Sequence, residues 1–393
     1  MRMQRCLTLL AALIAVQAHA NPESPVDSGK KRDLIIWGIA FGPDSKGAEA
    51  VVREFQRRNP DINVRVMSMG AGNMNPQKLM TSIVGNVAPD VINQDRFTIS
   101  DWASRGTFVS LSPLIERDRK SDPLCPVPEQ YYSAPWDEAV YDGQVYGIPT
   151  GADNRVLYYN KAMFRAKATE LRAAGLDPER APRTWSETLK YSKILTETNS
   201  DGTLKKAGFL PNFGNSWLYM YAFQNNAEFL DKERRNCTLA NEYSQEALQF
   251  MVDGYDLIGG FEKAKAFESG FLTKENDAFL IGKVAMKIDG DWIISNLARY
   301  GPQVDFGVAP APVPDDRFYK RGRFTEEKDT FITWMGGYSL AIPRGARNIE
   351  DGWKYIKFAT SLEGRRIEMA EQQKWEKLRG RLFVSKQQGS REA

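Results

Sequence analysis

The chain has 393 residues, 53 basic and 50 acidic, for a formal net charge of +3. That length exceeds what one compact core serves and suits two domains. The near-neutral balance removes the electrostatic case for nucleic acid or anionic lipid as a partner.

The opening MRMQRCLTLLAALIAVQAHA reads as an export signal. Arg2 and Arg5 give a basic start, residues 7–16 an apolar run too short to span a bilayer, and Ala18-His19-Ala20 a small-residue cleavage pattern, with the cut expected after Ala20. Removal of residues 1–20 takes two basic residues and the only histidine, leaving a net charge of +1 and two cysteines, Cys125 and Cys237. A metal site without imidazole or a Cys-x-x-Cys pair is not expected, nor is a cofactor. The two cysteines either pair, as an oxidising compartment allows, or stay as separate thiols.

Residues 21–32 are polar and form a flexible leader. LIIWGIAF (34–41) is a buried strand, GAEAVVREFQRRN (47–59) an amphipathic helix, INVRVMSM a strand, PQKLMTSIVGN a helix, PDVINQD (89–95) a strand, and TISDWASRGTFVSL a helix and turn. This alternation predicts an open parallel α/β sheet with helices on both faces. A second regime starts near 143, with β-rich pieces around Pro149-Thr150-Gly151. A helix follows Thr184, an N-cap completed as a capping box by Glu187. Further helices are expected over 216–230, 243–258 and 275–282. Then KVAMKIDGDWIISNL (283–297) runs from strand to helix, with Asp289-Gly290-Asp291-Trp292 at the corner. An indole at such a corner faces a cleft or serves as core, and the carboxyl ends of strands favour the cleft. GGYSLAIP (336–343) is a strand and 349–370 is helical.

Five segments together resemble the extracellular solute-binding proteins of sugar ABC transporters, the maltose-binding type. They are LIIWGIAF with VVREFQRRNPDINVRV; APDVINQDRFTISDWASRGTFVSL; YDGQVYGIPTGADNRVLYYNKAMF with PRTWSET; VAMKIDGDWIISNL; and GGYSLAIPRGARNIEDGWKYIKFATSLEG. The resemblance implies a two-lobed periplasmic binding protein fold of α/β class, type II-like, with ligand between the lobes. It places the first lobe at 33–148 and 336–370, the second at 149–335, and a tail at 371–393. The crossings fall near 147–153 and 334–337 and act as a hinge. The family continues further past this point, so the polar tail reads as a truncation or as a short member.

The same resemblance nominates site residues. Trp292 is the aromatic platform for a pyranose face. Asp153, just past the first crossing, takes sugar hydroxyls or is a solvated loop carboxylate. Asp95 and Arg96 bind hydroxyls jointly or pair with each other, and Asn93 and Gln94 adjoin them. Asp289 and Asp291 are candidates at the rim of the indole. The turn carrying Phe41, Gly42 and Asp44 departs from the family's more polar one. Asn215 and Trp217 open a helix, while Tyr219 and Tyr221 read as packing. Trp334 and Gly337 flank the second crossing. The implied protein is a monomer that takes a sugar and docks on membrane permease subunits. Two other readings stand beside it. One is a binder of a phosphorylated polyol, through Arg96 and Arg155, or of a polyamine. The other is an exported glycosidase, for which no paired-carboxylate geometry or other catalytic signature is legible.

Overall fold

The computed structural model describes residues 31–41, 45–68, 76–233 and 235–378. The expected signal, nearly all of the leader, Gly42, Asp44 and the end of the tail lie outside the described residues.

Two five-stranded sheets organise the chain. In the first, Arg32–Trp37 lies between Ile62–Met67 and Val91–Asp95, all parallel. Tyr338–Ala341 then pairs antiparallel with Val91–Asp95 and with Ile148–Pro149. The expected all-parallel sheet is therefore mixed, because a segment from late in the chain returns to complete it. The helix Lys46–Arg58 turns Val51, Val52 and Phe55 inward, where they meet Trp353 and Ile356 of the helix Ile349–Thr360. Glu49 in its first turn and Arg57 and Arg58 in its last suit the helix dipole. The helix expected over 349–370 is two helices, Ile349–Thr360 and Leu362–Leu378, broken at the extended Ser361.

In the second sheet, Val156–Asn160 pairs antiparallel with both Phe306–Pro310 and Val284–Asp289. Leu204–Gly214 runs parallel to Val284–Asp289 and pairs with Glu197–Thr198 at the other edge. Its core gathers Phe164, Tyr191, Phe209, Tyr221 and Met286. The helix Trp185–Leu195 begins at Thr184, whose hydroxyl accepts from the Glu187 N–H at 3.2 Å. The Glu187 carboxylate accepts from the Arg183 N–H at 2.8 Å, one residue ahead of the reciprocal partner of a capping box.

Two expectations on this side are corrected. Residues 275–282 are turns, organised by Asp277, whose carboxylate accepts from the Phe279 N–H at 2.9 Å; the helix lies earlier, at Phe261–Glu268. The stretch 216–230 is helical only over Leu218–Gln224. Nor do the cysteines pair. Cys125 is buried in the core beside the first sheet, with its thiol 3.6 Å from the Ile115 carbonyl, while Cys237 is exposed and bridges to Leu230.

The chain passes between the sheets twice, and the two passages touch. Asp153–Asn154 pairs antiparallel with Met335–Gly336 in a ribbon of its own.

Candidate functional site

The strand Val284–Asp289 is buried at all six positions, including Lys287 and Asp289. An ammonium there needs partners. Lys287 donates to Asp277 at 2.5 Å and pairs with Asp289 at 2.8 Å. Burial opposes the charge on Lys287, but Asp289 and Asp277 outweigh it and raise its pKa. Asp289 also accepts from the Gly290 N–H at 2.9 Å, and the Gly290 carbonyl accepts from the Tyr158 hydroxyl at 3.1 Å. Asp289 thus holds the corner from inside, which corrects its placement at the rim of the indole. The helix Trp292–Tyr300 starts as expected, and the Trp292 ring lies against Gly290, where a Cβ would come within 2.1 Å of it. Only glycine admits that approach. Trp292 remains 40% exposed.

Arg155, which sequence reasoning raised only as a phosphate ligand, is the centre of this site. Its side chain is buried, and its guanidinium lies 3.6 Å from the Trp334 ring centroid and 4.8 Å from that of Trp292. Its Nε donates to Asn215 Oδ1 at 2.7 Å, and its Nη1 donates to Asp153. Asn215 Oδ1 also accepts from the Trp217 indole at 3.3 Å, and the Asn215 carbonyl accepts from the Trp334 indole at the same distance. Tyr219, read from sequence as packing, sits edge-on to Trp334 at 5.2 Å, whereas Tyr221 is fully buried as expected. One arginine therefore gathers Asp153, Asn215, Trp292 and Trp334, and Trp217 joins them through Asn215. A signal for it was present in its position, two residues past Asp153 and directly before the strand Val156–Asn160.

From the first sheet, Asp95 reaches the same place. Burial, then the charge of Asp153, push its carboxyl up to about 6 against the opposing pull of Arg155 and Arg96. Asp291 is likewise pushed up to about 6, by burial and then by Asp153. Tyr219 and Tyr338 are raised to about 12, chiefly by burial. Both hydroxyls feel Asp95, Asp153 and Arg155, so these groups form one electrostatic neighbourhood that spans the first sheet, the crossing ribbon and the helix Leu218–Gln224.

The other nominated residues behave differently. Arg96 is 0% exposed and committed to Glu138 and to two backbone carbonyls, which corrects its placement as a ligand contact and its pairing with Asp95. Asn93 and Gln94 are buried, donating to the Gly38 carbonyl and to the Thr98 hydroxyl. Phe41 is exposed at the end of the described turn. Gly337 contributes backbone only. An open cavity of about 660 Å³ beside the crossing is lined by Tyr131, Tyr132, Trp136 and Met335, and includes none of the nominated residues. Among the described residues no cluster of His, Cys, Asp and Glu is disposed to hold a metal.

The profile of the bacterial extracellular solute-binding proteins matches residues 42–366. The chain belongs to that family. A maltooligosaccharide ABC transporter solute-binding lipoprotein of Streptococcus pneumoniae is 24% identical over 92% of this chain and 76% of its own length. An uncharacterised lipoprotein of Streptomyces antibioticus is 30% identical over 49% of this chain, and the match spans only 39% of that relative. Among solved structures, a Listeria monocytogenes ABC substrate-binding protein in complex with cycloalternan superposes with a TM-score of 0.69 at 23% identity, covering 88% of this chain and 79% of that one. A mannobiose-bound protein, CpMnBP1, gives a TM-score of 0.68 at 23% identity over 86% and 85% of the two chains. These likenesses establish the two-lobed periplasmic-binding-protein fold.

Proposed function

We propose that this protein is the exported solute receptor of an ABC importer, cut after Ala20, which takes a carbohydrate between its lobes and hands it to membrane permease subunits without chemical change. The lobes are assigned to 33–148 with 336–370 and to 149–335, the boundaries that the sequence suggests. The observation that carries this reading is that Arg155 lies on the rings of Trp292 and Trp334 and is joined through Asn215 to Trp217, with the carboxyls of Asp95 and Asp291 in the same electrostatic neighbourhood. Indole faces suit the apolar C–H face of a sugar ring, and carboxylates accept from its hydroxyls. Relatives named for maltooligosaccharide, galactooligosaccharide and arabinooligosaccharide binding support the choice of solute class.

A relative named for sn-glycerol-3-phosphate binding keeps a phosphorylated polyol in the comparison. Among the described residues, however, Arg96 is committed to Glu138 and two backbone carbonyls through all three of its guanidinium nitrogens, and Arg155 is held by Asn215 and Asp153, which weighs against phosphate as the group this site takes. The test is a tryptophan-fluorescence titration with mannobiose, maltotriose, mannitol, glycerol 3-phosphate and spermidine. Saturable quenching by one of the saccharides, with the sugar recovered intact, is expected. Saturation by glycerol 3-phosphate or spermidine alone would overturn the carbohydrate reading, and a hydrolysed product would overturn the receptor reading.

A further inference from the structure

One buried side chain holds both crossings. Arg96 follows the strand Val91–Asp95 and turns back into the protein. Its Nη1 donates to the Gly151 carbonyl at 2.7 Å, on the outgoing passage, and its Nη2 to the Gly336 carbonyl at 2.7 Å, on the returning one. Its Nε donates to Glu138 at 2.5 Å, and its backbone N–H to the Gly337 carbonyl at 3.0 Å. A guanidinium is suited to this because its donors sit in a rigid planar fork. Gly337 has φ of +133°, and a Cβ there would stand 2.4 Å from the Gly151 oxygen and 2.6 Å from Arg96 Nη1. The tight junction thus depends on glycine at that position.

The connection continues into the cleft. The Gly336 N–H donates to Asp153 Oδ1 at 2.8 Å, and the same oxygen accepts from Arg155. Gly336 is therefore gripped through its carbonyl by Arg96 and through its N–H by Asp153. Arg155 at the far end lies on the rings of Trp292 and Trp334.

We propose that Arg96 and Asp153 are positioning residues of the hinge, and that the run Arg96–Gly336–Asp153–Arg155 couples the state of the indole site to the angle between the lobes. A solute seated on Trp292 and Trp334 must accommodate or displace the guanidinium lying there. Displacing Arg155 pulls on Asp153, and Asp153 holds the residue whose carbonyl is in the fork of Arg96. Occupancy thereby changes the relative stability of lobe angles, which is the requirement for a ligand to shift a conformational population. The proposal rests on the cleft reading above, but its test uses ligand-free protein, so failure to find a sugar does not decide it.

The exposed thiol of Cys237 takes one spin label, and a cysteine introduced by Arg53→Cys on the helix Lys46–Arg58 takes the other, while Cys125 is buried. Pulsed dipolar spectroscopy then reads the distance between the two sides. A control pair, Cys237 with Glu262→Cys, stays within one side. Arg96→Lys, which cannot reach both carbonyls, and Arg96→Met are each expected to broaden the first distribution roughly twofold and leave the control unchanged, as loss of a hinge constraint requires. Arg155→Gln leaves the bonds of Arg96 in place and is expected to shift or broaden the same distribution. A wild-type distribution in Arg96→Lys, with native circular dichroism, overturns the clamp even if Arg96→Met does not fold. A wild-type distribution in Arg155→Gln overturns the coupling.

Discussion

Two strand ends meet at the cleft and use their side chains in opposite ways. At the end of Val91–Asp95 the acid stays half-buried at the site while the next residue, Arg96, turns inward and is fully enclosed. At the end of Val284–Asp289 the acid is enclosed with Lys287, and the residue that emerges is Trp292, three positions on. The difference follows from what lies behind each end. Behind Asp95 pass the two crossings, whose Gly151 and Gly336 carbonyls receive the guanidinium. Behind Asp289 lies a buried ammonium that requires carboxylates, so the acid goes inward and the indole is left exposed at the corner. A strand end thus says where a site is, and the buried polar partners behind it say which residue faces it.

The largest effect expected from breaking this contrast is on stability. Lys287→Met removes the cation between Asp277 and Asp289 while keeping most of the apolar stem. It should destabilise the protein by about 3–5 kcal/mol, as loss of one partner of a buried pair does. Urea unfolding measures this, and a loss below about 1 kcal/mol would place the ammonium in a surface-like pair. Trp292→Ala sits on the other side of the same corner. There the effect should fall on binding, about 2 kcal/mol or thirtyfold in Kd for the saccharide that titrates, with little change in ligand-free stability. A large loss of stability with unchanged affinity of the folded fraction would make the indole core instead.

The strand end of the first sheet offers the opposite pairing of effects. Arg96→Lys keeps the charge near Glu138 but cannot reach both carbonyls from one planar fork. It should lower stability by about 1–2 kcal/mol, the scale of lost charge-assisted hydrogen bonds, measured by the same urea titration.

How much of this was legible in sequence varies with the kind of signal. The helix Trp185–Leu195 was fixed by Thr184 and by apolar spacing, and the strand–corner–helix at Trp292 by a change of period, so both appear where expected. The central strand Leu204–Gly214 was not read, because Pro211 and its glycines carry the signature of a loop; a register shift between Phe209 and Gly214 accommodates them. Asp153 and Asn215 were nominated, but the residue that hydrogen-bonds to both, Arg155, was judged by its charge alone. Arg96 was misplaced for a related reason. Whether an arginine faces solvent or a pair of backbone carbonyls depends on segments more than 50 positions away, Gly151 and Gly336, and no local pattern carries that.

The smallest effect expected is on pH dependence, and it separates the two carboxyls that were left at the site from the one drawn inward. Asp95 and Asp291 are both pushed up to about 6, each by burial first and by Asp153 second. Between the ordinary aspartate value near 4 and about 6, the folded protein therefore holds more protons than the unfolded chain. Stability must then fall as pH rises through that window and be greatest, for these two groups, below it. Asp95→Asn and Asp291→Asn should each stabilise the protein at pH 7.5, by on the order of 1 kcal/mol after allowance for solvent screening, and should flatten the slope between pH 4 and 6. Thermal melts across that range measure it. Asp289→Asn should behave the other way, losing stability at neutral pH because Lys287 keeps its charge but loses a charged partner. If Asp95→Asn and Asp291→Asn instead destabilise at pH 7.5, their carboxylates are holding structure, as Asp289 does, and the contrast between the two strand ends fails.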